Sequence, residues 1–206
     1  MARERSLAAF VEDTEKQADH IIEQFYQFMW GTRVLLLLRR HKEGGHNKEH
    51  QRRRAREVVH QPDQMKKALV KLLMLKAMYP ESDYRIYMSA SPRDLRKAEM
   101  KFKQEQLLID FEDGENKRYF YENFEEKWIS ALMASKPLKG ECRFVLDVDV
   151  PDDGDHLKWC AANGTEIVFK YRTKNGWHIV TKPFNTETYP PELGEVKKDA
   201  LLLLAY

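Results

Sequence analysis

Cysteine is scarce. Cys142 and Cys160 are the two in a chain of 206 residues, too few for a disulfide framework and without the paired spacing of a zinc site. A reducing, intracellular and cytoplasmic setting is therefore expected. Glycine and proline number only nine and eight, which excludes collagen-like and elastic chains, and 42% hydrophobic residues exclude wholesale disorder. Neither sign of charge prevails: thirty-five Lys and Arg against thirty-three Asp and Glu leave a formal +2. Attraction to nucleic acid must then come from local patches. No apolar run reaches the ~20 residues of a membrane helix. The most apolar stretch, residues 25–38, is interrupted by Gln27, Gly31, Thr32 and Arg33 and reads as a buried helix, with an interfacial helix as the lesser alternative. The opening residues run into Glu12, Asp13, Glu15 and Lys16 with no apolar core for a secretory signal, so neither export nor a membrane partner is expected.

What is present is amphipathic. The length suits one domain, or one domain with a helical extension. Residues 8–30 carry Phe10, Val11, Ile21, Ile22, Phe25 and Phe28 at roughly helical spacing. Residues 39–54 hold seven Lys or Arg against two Glu around Gly44 and Gly45, a basic stretch with nothing apolar to bury, read as a mobile loop or frayed helix end. A helix is expected over 62–78, with Asp63 in its first turn. Past Pro80 the pattern changes. Residues 83–90 read as a strand, 94–108 as a helix and 119–134 as helical or mixed. Strands follow at 141–150, 165–172, 177–183 and 200–206, with a short helix near 155–162. The expected fold class is α+β, a helical N-terminal region (1–80) packed on or preceding a mainly antiparallel sheet core (81–206).

Three places carry chemistry. In the run RFVLDVDV at 143–150, strand alternation puts Asp147 and Asp149 on one face. Two adjacent carboxylates repel, and a divalent cation between them stabilises both ionised forms; hard oxygen donors of this kind suit Mg²⁺ or Mn²⁺. The plain alternative is a solvent-facing Asp beside an acidic turn. Lys174-Asn175-Gly176 marks a hairpin, since Asn and Gly accept the positive φ of short loops. The hairpin places His178 on its second strand and Lys182 four residues further on the same face. Asp199 stands before the apolar run 200–204, where it is either functional or a solubilising charge. His41, His46 and His50 ride in the basic stretch, more as bystanders than as metal ligands.

Asp147 and Asp149 within FVLDVDV, His178 within KNGWHIV and Asp199 within KKDALLLL, in that order and with a helix between the first two, resemble the archaeo-eukaryotic primase superfamily, which includes the primase-polymerases of phages and mobile elements. The run RIYMSASPR at 85–93 also looks like an early strand of that fold, ending in an arginine-bearing turn. The resemblance spans roughly residues 83–206. It implies a primase-polymerase core that takes part in DNA replication by adding nucleotides to a 3′ hydroxyl on a DNA or RNA template. Asp147, Asp149 and Asp199 would be the catalytic residues and the ligands of Mg²⁺ or Mn²⁺. His178, Lys174, Lys182 and Arg93 would bind the nucleoside triphosphate, and a replication helicase is a candidate partner. Arg39, Arg40, Arg52, Arg53 and Arg54 of the basic stretch would grip nucleic-acid phosphates without reading sequence. The rivals are a non-catalytic nucleic-acid-binding or regulatory protein that keeps the fold, and a metal-dependent nuclease in which the same carboxylates activate water. A nucleotide-sugar glycosyltransferase also uses Asp-x-Asp, but the helical, charged first half argues against it.

Overall fold

The computed structural model describes residues 7–39, 55–112, 114–135, 137 and 140–206. Among them the chain forms α1 (Leu7–Gln24), β1 (Arg33–Arg39), β2 (Ala55–Val59), α2 (Pro62–Ala77), β3 (Tyr84–Ser89), α3 (Leu95–Asp110), α4 (Glu115–Glu122), α5 (Phe124–Ala134), β4 (Phe144–Val148), α6 (Gly154–Ala162), β5 (Ile167–Arg172), β6 (Trp177–Thr181), β7 (Glu195–Lys198) and β8 (Leu201–Ala205). The α+β class is as expected. Helix starts follow local chemistry: Pro62 opens α2 with Asp63 in its first turn, and the Asp94 carboxylate accepts the Lys97 N–H at 3.0 Å to cap α3.

The strands make two antiparallel sheets, ordered β2-β1-β3-β8 and β5-β6-β4-β7. One face of the first sheet, through Leu35, Leu37, Ile86 and Met88, packs on α1, α2 and residues of the second sheet such as Val145 and Val180. Its other face, through Val34 and Leu36, packs on Ala98 of α3 and on Ile129 and Leu132 of α5. The second sheet turns Leu146, Val148 and Ile179 toward Cys160 of α6 and Tyr189.

Residues 25–38 correct the expectation of a buried helix. The helix stops at Gln24, a 3₁₀ turn covers Tyr26–Phe28, and the run RVLLLLR is strand β1. β1 lies between β2 and β3 and is buried on both faces over most of its length. A strand covered on both sides loses its alternation and reads as a continuous apolar run, which periodicity cannot tell from a buried helix. Gly31 was the local signal: it adopts φ +76°, and a Cβ there would sit 2.9 Å from Pro92 Cβ. The first sheet therefore draws strands from both sides of residue 80, so the N-terminal part is not wholly helical. The expected single helical piece over 119–134 is two helices, α4 and α5, meeting at Asn123, whose side-chain amide donates to the Tyr119 carbonyl at 2.8 Å. Among the described residues no helix is long and apolar enough to cross a membrane.

The hairpin between β5 and β6 forms where expected but not for the expected reason. Thr173 N–H donates to the Gly176 carbonyl at 2.9 Å, and Gly176 N–H donates to Thr173 Oγ1 at 3.1 Å. Neither Asn175 nor Gly176 takes a positive φ. Glycine is needed because the end of β4 passes beneath the loop. A Cβ at 176 would overlap the Val148 carbonyl oxygen and lie 2.8 Å from that of Val150. Gly176→Ala is therefore expected to lower stability by about 1–3 kcal/mol, the usual cost of overpacking, as read from a urea unfolding midpoint. An unchanged midpoint would show that the loop and β4 separate freely.

Candidate active site

The site grows from one register. β4 lies between β6 and β7, pairing Asp147 with His178 on one side and with Glu195 on the other. Directly opposed residues of antiparallel strands share a face, so three chemistry-bearing side chains meet there without any loop to place them. His178 Nε2 lies 3.0 Å from Asp147 Oδ1. The Lys197 ammonium bonds the other oxygen, Oδ2. The hydrogen bond from His178 and then that from Lys197, outweighing burial, hold the Asp147 carboxyl far below the usual carboxylate range. Burial pulls the Lys197 ammonium down, but the bond to Asp147 and the charges of Asp147, Glu195 and Asp149 outweigh it and leave it raised.

Behind His178 stands Tyr171, its register partner on β5. The Tyr171 hydroxyl is 2.6 Å from His178 Nδ1 and accepts the Leu203 N–H at 3.0 Å. Burial pushes this phenol well above its ordinary range, so it keeps its proton. The Asp147 carboxylate can only accept, so Nε2 carries the proton between them, and a neutral imidazole would then accept the Tyr171 O–H at Nδ1.

Two cavities adjoin this row and share Asp147 and Asp149 as a common wall. The first, about 410 Å³, adds His178 and the cations Arg85, Lys174 and Lys197. Its rim is tied together by Tyr206, whose hydroxyl accepts the Lys174 N–H and whose ring lies 5.2 Å from the Arg85 guanidinium carbon. The second, about 400 Å³, is acidic, with Asp155, Glu192 and Glu195 beside the shared pair. His156 lines it too, its Nδ1 2.8 Å from the Tyr189 hydroxyl.

Of the residues expected from sequence, Asp147, Asp149, His178 and Lys174 come together at the first cavity. Asp199 and Arg93 do not line it; they pair with each other at 2.7 Å. Asp199 takes a left-handed backbone, φ +54°, one residue past β7, and Arg93 also donates to the Met133 carbonyl at 3.0 Å. The third carboxylate expected beside Asp147 is thus turned to a buried arginine instead, because it sits at the far end of β7 from Glu195. Lys182 lies just beyond β6, at the end of the β5–β6 ladder away from the hairpin, in a 2.6 Å ion pair with Glu166. It does not share the His178 cavity. Arg39 ends β1 and is exposed, while Arg40, Arg52, Arg53 and Arg54, like His41, His46 and His50, lie outside the described residues. Tyr171, Glu195 and Lys197 were missed. Tyr171 was visible as the inward position of a hairpin, but β7 is four residues long and polar, too short and too charged to read as a strand.

The resemblance implies a divalent ion, and the donors can be tested against it. Asp147 and Asp149 offer hard oxygens on one wall, Glu195 opposes Asp147, and Asp147 already holds a cation in the Lys197 ammonium. Among the described residues no three His, Cys, Asp or Glu side chains converge on a metal position, and both oxygens of Asp147 are engaged. Two carboxylates with room for water or phosphate oxygens are the donor type that Mg²⁺ or Mn²⁺ takes, and an ion on Oδ2 of Asp147 would have to replace Lys197 there.

Comparison with protein-family models, with curated proteins and with solved structures finds no match.

The depressed carboxyl has a pH signature. Folded Asp147 binds its proton less tightly than the unfolded chain does, so its stabilisation is complete above the ordinary carboxylate range, about pH 4, and is lost as pH falls toward the folded value. The gap in urea midpoint between the native chain and Asp147→Asn is expected to be widest near neutrality and to narrow on acidification to about pH 3. A gap independent of pH would mean that the His178 and Lys197 contacts do not hold the carboxylate.

Proposed function

We propose that the chain is a metal-dependent nucleotidyltransferase of the primase-polymerase type, joining nucleoside triphosphates to a 3′ hydroxyl on a nucleic-acid template. The observation that carries the reading is the direct pairing of Asp147 with His178 on neighbouring strands, above a cavity that also holds Asp149 and three cations. Carboxylates for a metal and cations for a polyphosphate in one recess are what nucleotidyl transfer asks for.

Arg85, Lys174 and Lys197 would bind the triphosphate, with the rim closed by Tyr206. His178, held in one tautomer by Tyr171, presents a fixed donor edge. Asp147 and Asp149 would hold Mg²⁺ or Mn²⁺, which when bound lowers the pKa of the attacking hydroxyl and offsets charge on the phosphorus centre. Arg39 begins the basic stretch, which supports a salt-sensitive grip on template phosphates. A replication helicase is the proposed protein partner, and Arg93, Asp199 and Lys182 are left out of the catalytic set.

A second reading is a nucleic-acid-binding protein without turnover. It is favoured by the engagement of Asp147 by Lys197 and of Asp199 by Arg93.

Purified protein incubated with Mn²⁺, labelled nucleotides and a primed template separates the two. Extension is expected, and Asp147→Ala or Asp149→Ala should reduce it by about 10²–10³-fold or more, as loss of transition-state charge stabilisation does. Lys174→Ala should raise KM for the nucleotide with a smaller effect on kcat. Cleavage of the strand in place of extension would point to a nuclease, and binding shared by all variants without turnover would establish the second reading.

A further inference from the structure

Lys197 has two sets of neighbours. Its α-carbon is fixed opposite Val145 in the β4–β7 ladder, two residues along from Asp147, and the side chain reaches back along the sheet to bond Asp147 Oδ2. The stem is not clamped: the side chain is 41% exposed, and its contact with Glu195 is a loose 3.9 Å. The same residue lines the first cavity with Arg85 and Lys174. A lysine is a compact charge on a flexible four-carbon stem, so one backbone position serves both partners.

We infer that Lys197 is a switchable cation, holding Asp147 while the site carries no divalent ion and moving to the nucleotide phosphates when an ion takes Asp147. This rests on the nucleotidyltransferase reading. An ion arriving at Asp147 must displace the ammonium, so the free energy of the ion pair is subtracted from the ion's affinity. A triphosphate in the first cavity gives the released ammonium a new partner and restores that free energy. Ion and nucleotide then raise each other's affinity by the same factor, because coupling between sites is reciprocal. His178 stays on Oδ1 throughout, which leaves Oδ2 as the oxygen that changes hands.

Two measurements test this, neither of them an activity assay. In the first, Mn²⁺ is titrated into nucleotide-free protein and free Mn²⁺ is followed by electron paramagnetic resonance. Lys197→Met should bind Mn²⁺ about two- to fivefold more tightly than the native chain, the range of a partly exposed ion pair. Lys197→Arg, which keeps the charge and grips carboxylates with a fork, should bind it no more tightly than the native chain. In the second, anisotropy of a fluorescent nucleoside triphosphate is read with saturating Mn²⁺ and with EDTA. Lys197→Met should weaken nucleotide binding in Mn²⁺ and leave it unchanged in EDTA, whereas a fixed phosphate ligand would weaken both and a structural lysine neither. If the native chain binds Mn²⁺, Asp147→Ala abolishes it, and Lys197→Met binds no more tightly than native, the switch is overturned while the reading of the site stands. If neither the native chain nor Lys197→Met binds Mn²⁺, both fall together.

Discussion

A carboxylate in the middle of a sheet needs partners, and the site follows from how Asp147 gets them. Leaving a half-buried charge unpaired is costly, and loops are poor suppliers of well-placed counter-charges. Here the two strands flanking β4 supply them: His178 from β6 and Lys197 from β7, one on each oxygen. The antiparallel ladder sets the first of these contacts by direct opposition and the second by the reach of a lysine along its neighbour. Tyr171 then orders the imidazole from the next strand out, and its hydroxyl in turn receives the Leu203 N–H from β8 of the other sheet. The chain Leu203, Tyr171, His178, Asp147 and Lys197 therefore crosses from one sheet to the other through polar groups alone.

The crossing is braced a second time by Arg93. Its side chain is fully buried; Nη1 finds two oxygens, whereas Nε and Nη2 are buried without a hydrogen-bond partner among the described residues. It donates to Asp199 between β7 and β8 and to the Met133 carbonyl of α5, while its backbone N–H donates to the Thr32 carbonyl just before β1 at 2.7 Å. Asp199 accepts a left-handed backbone, which an L-residue seldom adopts and which Asp tolerates better than most. The two residues that the sequence offered as a nucleotide contact and a metal ligand thus stabilise the junction on which the site stands. Gly176 adds a third constraint, letting the Lys174 loop settle against the end of β4 beside Asp149.

Asymmetry between the two cavities gives the site a direction. Both are walled by Asp147 and Asp149, yet one gathers Arg85, Lys174 and Lys197 and the other gathers further carboxylates. Cations line only the first, so that charge distribution would draw an anionic ligand toward the hairpin side and away from the carboxylates. The acidic side is where His156 sits, its ring proton affinity lowered chiefly by burial.

Local chemistry was enough to read much of the chain. Pro62 with Asp63 marked a helix start; β-forming residues between turn signals marked Tyr84–Ser89, and the hairpin turn marked Trp177–Thr181; Asp-x-Asp and the hairpin histidine marked the strands that meet at the first cavity. Each is a property of a few consecutive residues, and short-range sterics and hydrogen bonding decide such things before any core exists. Three matters needed the folded molecule. β1 is a strand because neighbours cover both its faces, β7 is a strand because β4 offers it hydrogen bonds, and Asp199 faces Arg93 because a left-handed residue turns it there. Pairing between segments fifty or a hundred residues apart depends on which partners are adjacent in space, and neither period nor propensity within a segment carries that information. The identity of the carboxylate was therefore written in the chain, while the company it keeps was decided by the sheet.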